Sequence, residues 1–318
     1  MVNTARRLFI ACSLAFTGAA GCAFGAVDAA LLALIPGDAT VVSGVNVDQA
    51  KTSAFGRFVL NQMQLDDSGL RTFIADTGFD PRRDLSEIVA ITRGTSDKTE
   101  ALVLGRGVFN PGRIFNAAKL HGGSVTNYRG VDIGGQADGA IAFLDASTVL
   151  AGSDKAVRAA IDQRGAAKKL PDAVVKKMQD LSNANDAWFY SMTSPGNFFA
   201  GKLSNENLGN AMSDGLMQAV LQASGGIKFT GTEVRVSGEA VTRSDKDATS
   251  LADVFRFLAQ IVQSGNNGQS TGGAADAAAL LGKMELSTQG NVMKVSLNIP
   301  EDVLERVFGR RTIRVASR

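Results

Sequence analysis

Asp38-Ala39-Thr40-Val41-Val42-Ser43-Gly44-Val45-Asn46-Val47 is answered later in the chain by Asp186-Ala187-Trp188-Phe189-Tyr190-Ser191-Met192-Thr193, and these two stretches decide the reading of the fold. In the first, Val41, Val45 and Val47 alternate against smaller residues, the period-two pattern of a strand with one buried side. The second reads as a strand of the same kind, which places Trp188 in the core. Each stretch opens a half of the chain, and the elements that follow come in the same order.

Working outward from the first strand, Ser53 caps a helix with Phe55, Phe58, Val59 and Met63 on one side. A second helix runs from Leu70 to Thr77 and stops at Gly78. Pro81 with Arg82, Arg83 and Asp84 makes a charged turn. Strands follow at Glu87–Arg93 and Ala101–Val108, joined by a polar loop. Asn110-Pro111 opens a helix through Leu120, because proline is tolerated in a first turn. Ser124–Ile133 and Gly139–Ala151 read as short strands and hairpins. Ser153-Asp154 caps a helix to Gln163, ended by Gly165.

From the second strand, helices are expected at Asn197–Leu203 and Met212–Ala223, then a strand pair at Ile227–Thr230 and Glu233–Val241. Leu251, Val254, Phe255, Leu258 and Ile261 form the apolar stripe of a helix over Leu251–Val262. Glu285–Ile299 reads as a hairpin, and Glu301–Phe308 as a final helix behind Pro300. The expectation is therefore an α+β protein of two similar halves, each an antiparallel sheet with helices packed on one face, built by internal duplication, with the joining of the two sheets into one left open. The boundaries are 27–165 for the first half, 166–185 for a partly helical connector and 186–318 for the second half. Gly265–Gly273, made of Gly, Asn, Gln, Ser and Thr, reads as a slack surface loop, with a ligand lid as the alternative.

Residues 1–26 have the pattern of an export signal. Arg6 and Arg7 supply the positive start, Leu8–Phe16 the apolar core, and Thr17–Ala26 the small residues around a cut. The apolar core is well under the ~20 residues of a membrane-spanning helix. Cleavage before Ala26 is the favoured route. Ala19-Ala20-Gly21-Cys22 also resembles a bacterial lipobox, which makes Cys22 the candidate lipidation point and a lipid anchor the one expected contact with a membrane. Both cysteines, Cys12 and Cys22, lie in this region. Removal of Arg6 and Arg7 takes away both units of the +2 formal charge, and a neutral body argues against nucleic acid as a partner. Arg310, Arg311, Arg314 and Arg318 are read as a solvated end.

Asp38–Val42 with Gly44–Lys51, Phe55–Leu60, Thr77–Leu85 and Asn185–Phe189 together resemble a set of uncharacterised exported proteins of acidobacteria. The resemblance covers most of the chain after the signal and is strongest before about residue 165. It implies export and the α+β build, and it carries no activity to transfer.

The chain is poor in the usual equipment of catalysis. It has 1 His, too few imidazole and thiolate ligands for zinc or iron. Asp66-Asp67 and Asp76 with Asp80 do not match a calcium loop. There is no G-x-S-x-G and no S-x-x-K. His121 sits where a helix ends and is read as structural. Gly196–Lys202 fits G-x-x-x-x-G-K, but Leu203 stands where magnesium binding needs Ser or Thr. No cofactor, metal site or catalytic residue is expected. Arg82, Arg83 and Asp84 remain as weak contact candidates, read first as a salt-bridged turn. The expectation is an exported envelope or periplasmic protein that binds or supports an envelope protein or polymer and is not an enzyme. The alternatives are a carboxylate-based hydrolase of envelope polymer and a lipid-anchored accessory factor.

Overall fold

A computed structural model describes residues 27–54, 56–57, 68–94, 99–136, 139–165, 170–195, 214–264 and 280–304. The signal with Cys22, most of the helix expected from Ser53, the Gly196–Lys202 stretch, the Gly265–Gly273 loop and the arginine tail lie outside the described residues.

The strands are β1 (Ala39–Asn46), β2 (Leu85–Arg93), β3 (Glu100–Gly107), β4 (Ser124–Tyr128), β5 (Val131–Gln136), β6 (Gly139–Phe143), β7 (Thr148–Gly152), β8 (Ala187–Ser191), β9 (Val220–Phe229), β10 (Glu233–Thr242), β11 (Glu285–Gln289) and β12 (Val292–Pro300). They join into one twelve-stranded antiparallel sheet in the order β11-β12-β10-β9-β8-β1-β2-β3-β7-β6-β5-β4. The two stretches that opened the sequence reading are neighbours at its centre, with Val42 opposite Tyr190 and Gly44 opposite Trp188. Outward from that pair the order is alike on both sides: a three-strand meander, then a returning strand placed beside the third. The first side carries the additional pair β4 and β5. The likeness lies in strand order alone.

The helices are α1 (Ala29–Leu32), α2 (Val47–Ala50), α3 (Ser68–Thr77), α4 (Pro81–Asp84), α5 (Pro111–Leu120), α6 (Asp154–Gln163), α7 (Asp172–Ala184), α8 (Asp214–Ala219) and α9 (Asp245–Ser264). Their starts follow the sequence: Asn110 caps α5 through Arg113 N–H, and Ser153 caps α6 through Ala156 N–H.

The α+β class with antiparallel strands stands, and the sheets of the two halves join into one; helices occupy both of its faces and not one. On the first face Val42, Val89, Ile91, Leu102, Leu104, Leu150, Trp188 and Tyr190 form a core with residues of α1, α6 and α7. On the second face, Phe143 and Val149 pack with Phe109 and Ile114 at the α5 end. Beyond β8 the apolar side changes over. There Val220, Ala240 and Met293 meet Leu251 and Ala252 of α9 on the second face. The first face of β10, β12 and β11 is polar, with Ser237, Glu239, Ser296, Lys294 and Glu285. Strand alternation explains this, since a one-residue change of parity moves every apolar side chain to the other face.

One expectation is overturned locally. Val220–Ala223 is the start of β9, not the end of a helix. Its Ala, Gln and Leu content favours a helix, and Gly225-Gly226 looks like a stop. Inside the sheet those glycines have a different cause. A Cβ at Gly226 would run into Asn185, and one at Gly225 would lie 2.9 Å from Phe189 Cε1. Neighbouring side chains use the space that glycine leaves in a strand.

Candidate functional site

The densest polar construction is a band across one end of the first face. Cross-strand pairing sets Asn46 (β1) opposite Glu87 (β2), Glu87 opposite Arg106 (β3), and Arg106 opposite Thr148 (β7). A register shift between Leu85 and Glu87 marks this end of β2. Glu87 has the same parity as Val89 and Ile91, so strand geometry turns its carboxyl toward the core side.

Residues 27–35 lie over this band as a strap. Leu31, Leu32, Leu34 and Ile35 are buried in the first-face core. Val27 N–H donates to Ser182 Oγ of α7 at 3.0 Å, and Asp28 N–H donates to Glu87 Oε2 at 3.3 Å. The Asp28 carboxylate caps α1 through Ala30 N–H and pairs with Arg106 at 2.5 Å. Arg106 also donates to Ser147 Oγ and Thr148 Oγ1. Behind these, burial works against the ionised Asp145, but hydrogen bonds from Ser147 and Thr148 outweigh it and hold that carboxyl below its usual range.

Burial pushes the Glu87 carboxyl from 4.5 up to about 7; the hydrogen bond from Asp28 N–H and the Arg106 charge work against the rise, and the Asp28 carboxylate adds to it. A carboxyl raised in the folded state costs stability when it ionises. The cost is absent below about pH 4.5, grows as pH rises, and is complete above about 7. Glu87→Gln is therefore expected to leave stability at pH 5 nearly unchanged. At pH 8 it should raise stability by roughly 2 kcal/mol, the full shift discounted for partial exposure. Melting temperatures of both proteins across pH 4–9 check this.

A second ionic site closes the other side of the central strands. Asp186, 2% exposed, takes Lys228 Nζ on one oxygen at 2.9 Å and Phe229 N–H on the other at 2.9 Å.

Arg82, Arg83 and Asp84 lie in α4, and their charges are engaged within the turn. Arg82 grips Asp80 through Nε and Nη2 at 2.9 and 2.6 Å. Arg83 does the same to Asp84 and also donates to Gly78 O. The hydrogen bond from Arg82 holds Asp80 below the usual carboxylate range, and that from Arg83 does the same for Asp84. His121 caps the C-terminus of α5, and its Nε2 lies 2.8 Å from Asp76 Oδ2, linking α5 to α3. Among the described residues no group of three His, Cys, Asp or Glu is placed to hold a metal, and no helix is long and apolar enough to cross a membrane.

The sequence reading missed Asp28, Glu87 and Arg106. The available signal was parity: Glu87 occupies an inward position in the run Glu87, Val89, Ile91.

No protein-family model matches the chain, and no curated protein matches it in sequence. Among solved structures it is similar to crystal form III of TP0453, at 11% identity and a TM-score of 0.49, covering 90% of this chain and 98% of that one. Crystal form I of TP0453 gives 12% identity and a TM-score of 0.47, over 87% of this chain and 95% of that one. Crystal form IV gives 10% and 0.45 over the same shares.

Proposed function

We propose that this is an exported protein of the bacterial envelope or periplasm that acts by binding a partner and not by catalysis. The observation that supports this reading is the second face of the central strands. Phe189 stands 37% exposed there, and Val41, Val45, Ile88, Ala90 and Val103 on β1, β2 and β3 are half-buried. Large apolar side chains left at the surface over a rigid sheet are the ordinary material of a contact site. Crosslinking in intact cells followed by pull-down is expected to recover an envelope partner with the natural chain and much less of it with Phe189→Ser. Recovery of unbound monomer alone would overturn the reading.

A hydrolase acting through carboxylates is a second reading, and the Glu87 carboxyl, raised by burial, favours it. Release of soluble fragments from purified envelope polymer, lost in Glu87→Gln, would support it. Lipid anchoring through Cys22 is a separate proposal. Membrane fractionation of Cys22→Ala unchanged from the natural chain would exclude it.

A further inference from the structure

We propose that the outer edge of β4 is a self-association surface: two copies of this chain pair β4 with β4, antiparallel about a two-fold axis at Thr126, and their sheets run on into one another. The argument begins with the turn that ends β4. Arg129 and Gly130 both have positive φ, 49° and 79°, which makes the two-residue type I′ turn of a tight hairpin. The residues flanking such a turn, Tyr128 and Val131, exchange both backbone hydrogen bonds. Alternation then gives the backbone groups of Thr126 and Ser124 to β5 as well. It turns the N–H and C=O of Val125 and Asn127 outward. β4 ends the sheet, and among the described residues nothing bonds these four groups.

Two properties of this edge select a second copy as its occupant. The first is register. The outward residues stand one on each side of Thr126. An antiparallel copy centred there sets Val125 opposite Asn127 and engages all four free groups of each edge, with none left over. Ser124 then faces Tyr128, and Thr126 faces itself. The second is charge. Ser124–Tyr128 contains no charged residue, no proline and no register shift, the devices that keep natural edges apart. The copies therefore meet with no like charges opposed. The other edge, β11, carries Glu285 and has α9 packed against it. Because each copy offers the same strand, the contact closes as a dimer and does not propagate.

The flanks add to the ladder. A two-fold axis normal to the sheet keeps α5 of both copies on the second face. α5 packs on β4 and β5, and its last residue, Leu120, is 83% exposed, an apolar side chain for a second copy to cover. On the first face the end of β4 is already fixed. Tyr128 donates its hydroxyl to Asp162 at 3.1 Å, and the Arg158 guanidinium lies 4.6 Å from its ring centroid. A strand held in this way loses little freedom when it pairs.

The test is sedimentation of the purified protein from micromolar to sub-millimolar concentration, with amide hydrogen exchange at both ends of the range. A monomer–dimer equilibrium is expected. The Val125 and Asn127 amides should exchange about tenfold more slowly where the dimer prevails, while Thr126 and Tyr128 are protected throughout. Thr126 is exposed, so its substitution spares the monomer. Thr126→Lys and Thr126→Glu should each be monomeric, because the axis sets like charges opposite one another, and an equal mixture of the two should restore the dimer. Val125→Pro removes an outward N–H, leaves the ladder with β5 intact, and should weaken the dimer roughly tenfold or more. Phe189→Ser should dimerise like the natural chain, which separates this contact from the one proposed at Phe189. A monomer at every concentration would overturn the proposal, as would a dimer that survives Thr126→Lys. Protection of Val125 and Asn127 only when a different protein is present would overturn it too, by giving the edge to another chain's strand. Should Val125→Pro not fold, the two Thr126 variants still decide the matter.

Discussion

Trp188→Ala is expected to destabilise the protein by about 3–5 kcal/mol, the range for removing a large aromatic from a packed core. Trp188 is 3% exposed and belongs to the first-face core at the middle of the sheet. Its indole occupies the space left by a missing side chain on the neighbouring strand. A Cβ on Gly44 would lie 2.6 Å from Trp188 Cε2 and Nε1. The fit of an aromatic over a cross-strand glycine joins β8 to β1, and alanine would leave a void with nothing beside it able to fill it. Collapse of the strands onto that void is opposed by the backbone ladder of β1 with β2 and β8. Urea denaturation followed by circular dichroism measures the loss, since the chain's 1 Trp is the residue removed and fluorescence cannot report it. A change below about 1 kcal/mol would mean that the site repacks freely, contrary to the close fit.

Asp186→Ala is expected to cost about 2–4 kcal/mol. The two oxygens of Asp186 serve different partners, the Lys228 ammonium and the Phe229 N–H. Alanine takes the acceptor from both. The ammonium, largely withdrawn from water, loses its counter-charge, and the N–H of a fully buried residue loses this bond. Asp186→Asn should fall between the two proteins, because an amide keeps one acceptor oxygen but not the charge. If urea denaturation places the alanine protein within 0.5 kcal/mol of the natural one, roughly the scatter of a surface substitution, the site is not the anchor described here.

The fold was legible as a succession of elements. β1, β2, β3, β10 and β12 lie where strands were expected, and the starts of α5 and α6 are marked by Asn110-Pro111 and Ser153, but in β1 the core residue is Val42, while the alternating Val41 and Val45 are half-buried on the opposite face. Legibility failed at Val220–Ala223, where local preference for helix lost to pairing with β8 and β10. It failed also for the faces, because alternation tells which residues lie together and not which side of a shared sheet they share with residues far along the chain. The strap band depends on contacts between Asp28, Glu87 and Arg106, which only the pairing of β2 with β3 and the docking of α1 bring together. The Arg82–Asp84 turn, by contrast, could be read locally, since each arginine bonds an acid one or two residues away.

The crossing-over of the apolar side between β8 and β9 also bears on how the chain holds together. Met178, Trp188 and Tyr190, all beyond residue 165, are members of the same interior as Val42, Leu104 and Leu150. Phe229, Val234 and Ile299 belong to another. Cohesion therefore divides later than the repeat pattern does. A polypeptide ending at residue 165 would be missing part of its own interior, because Met178, Trp188 and Tyr190 would be absent from it. The interior of the first half thus reaches past the boundary of the sequence pattern and takes its last strand from the second.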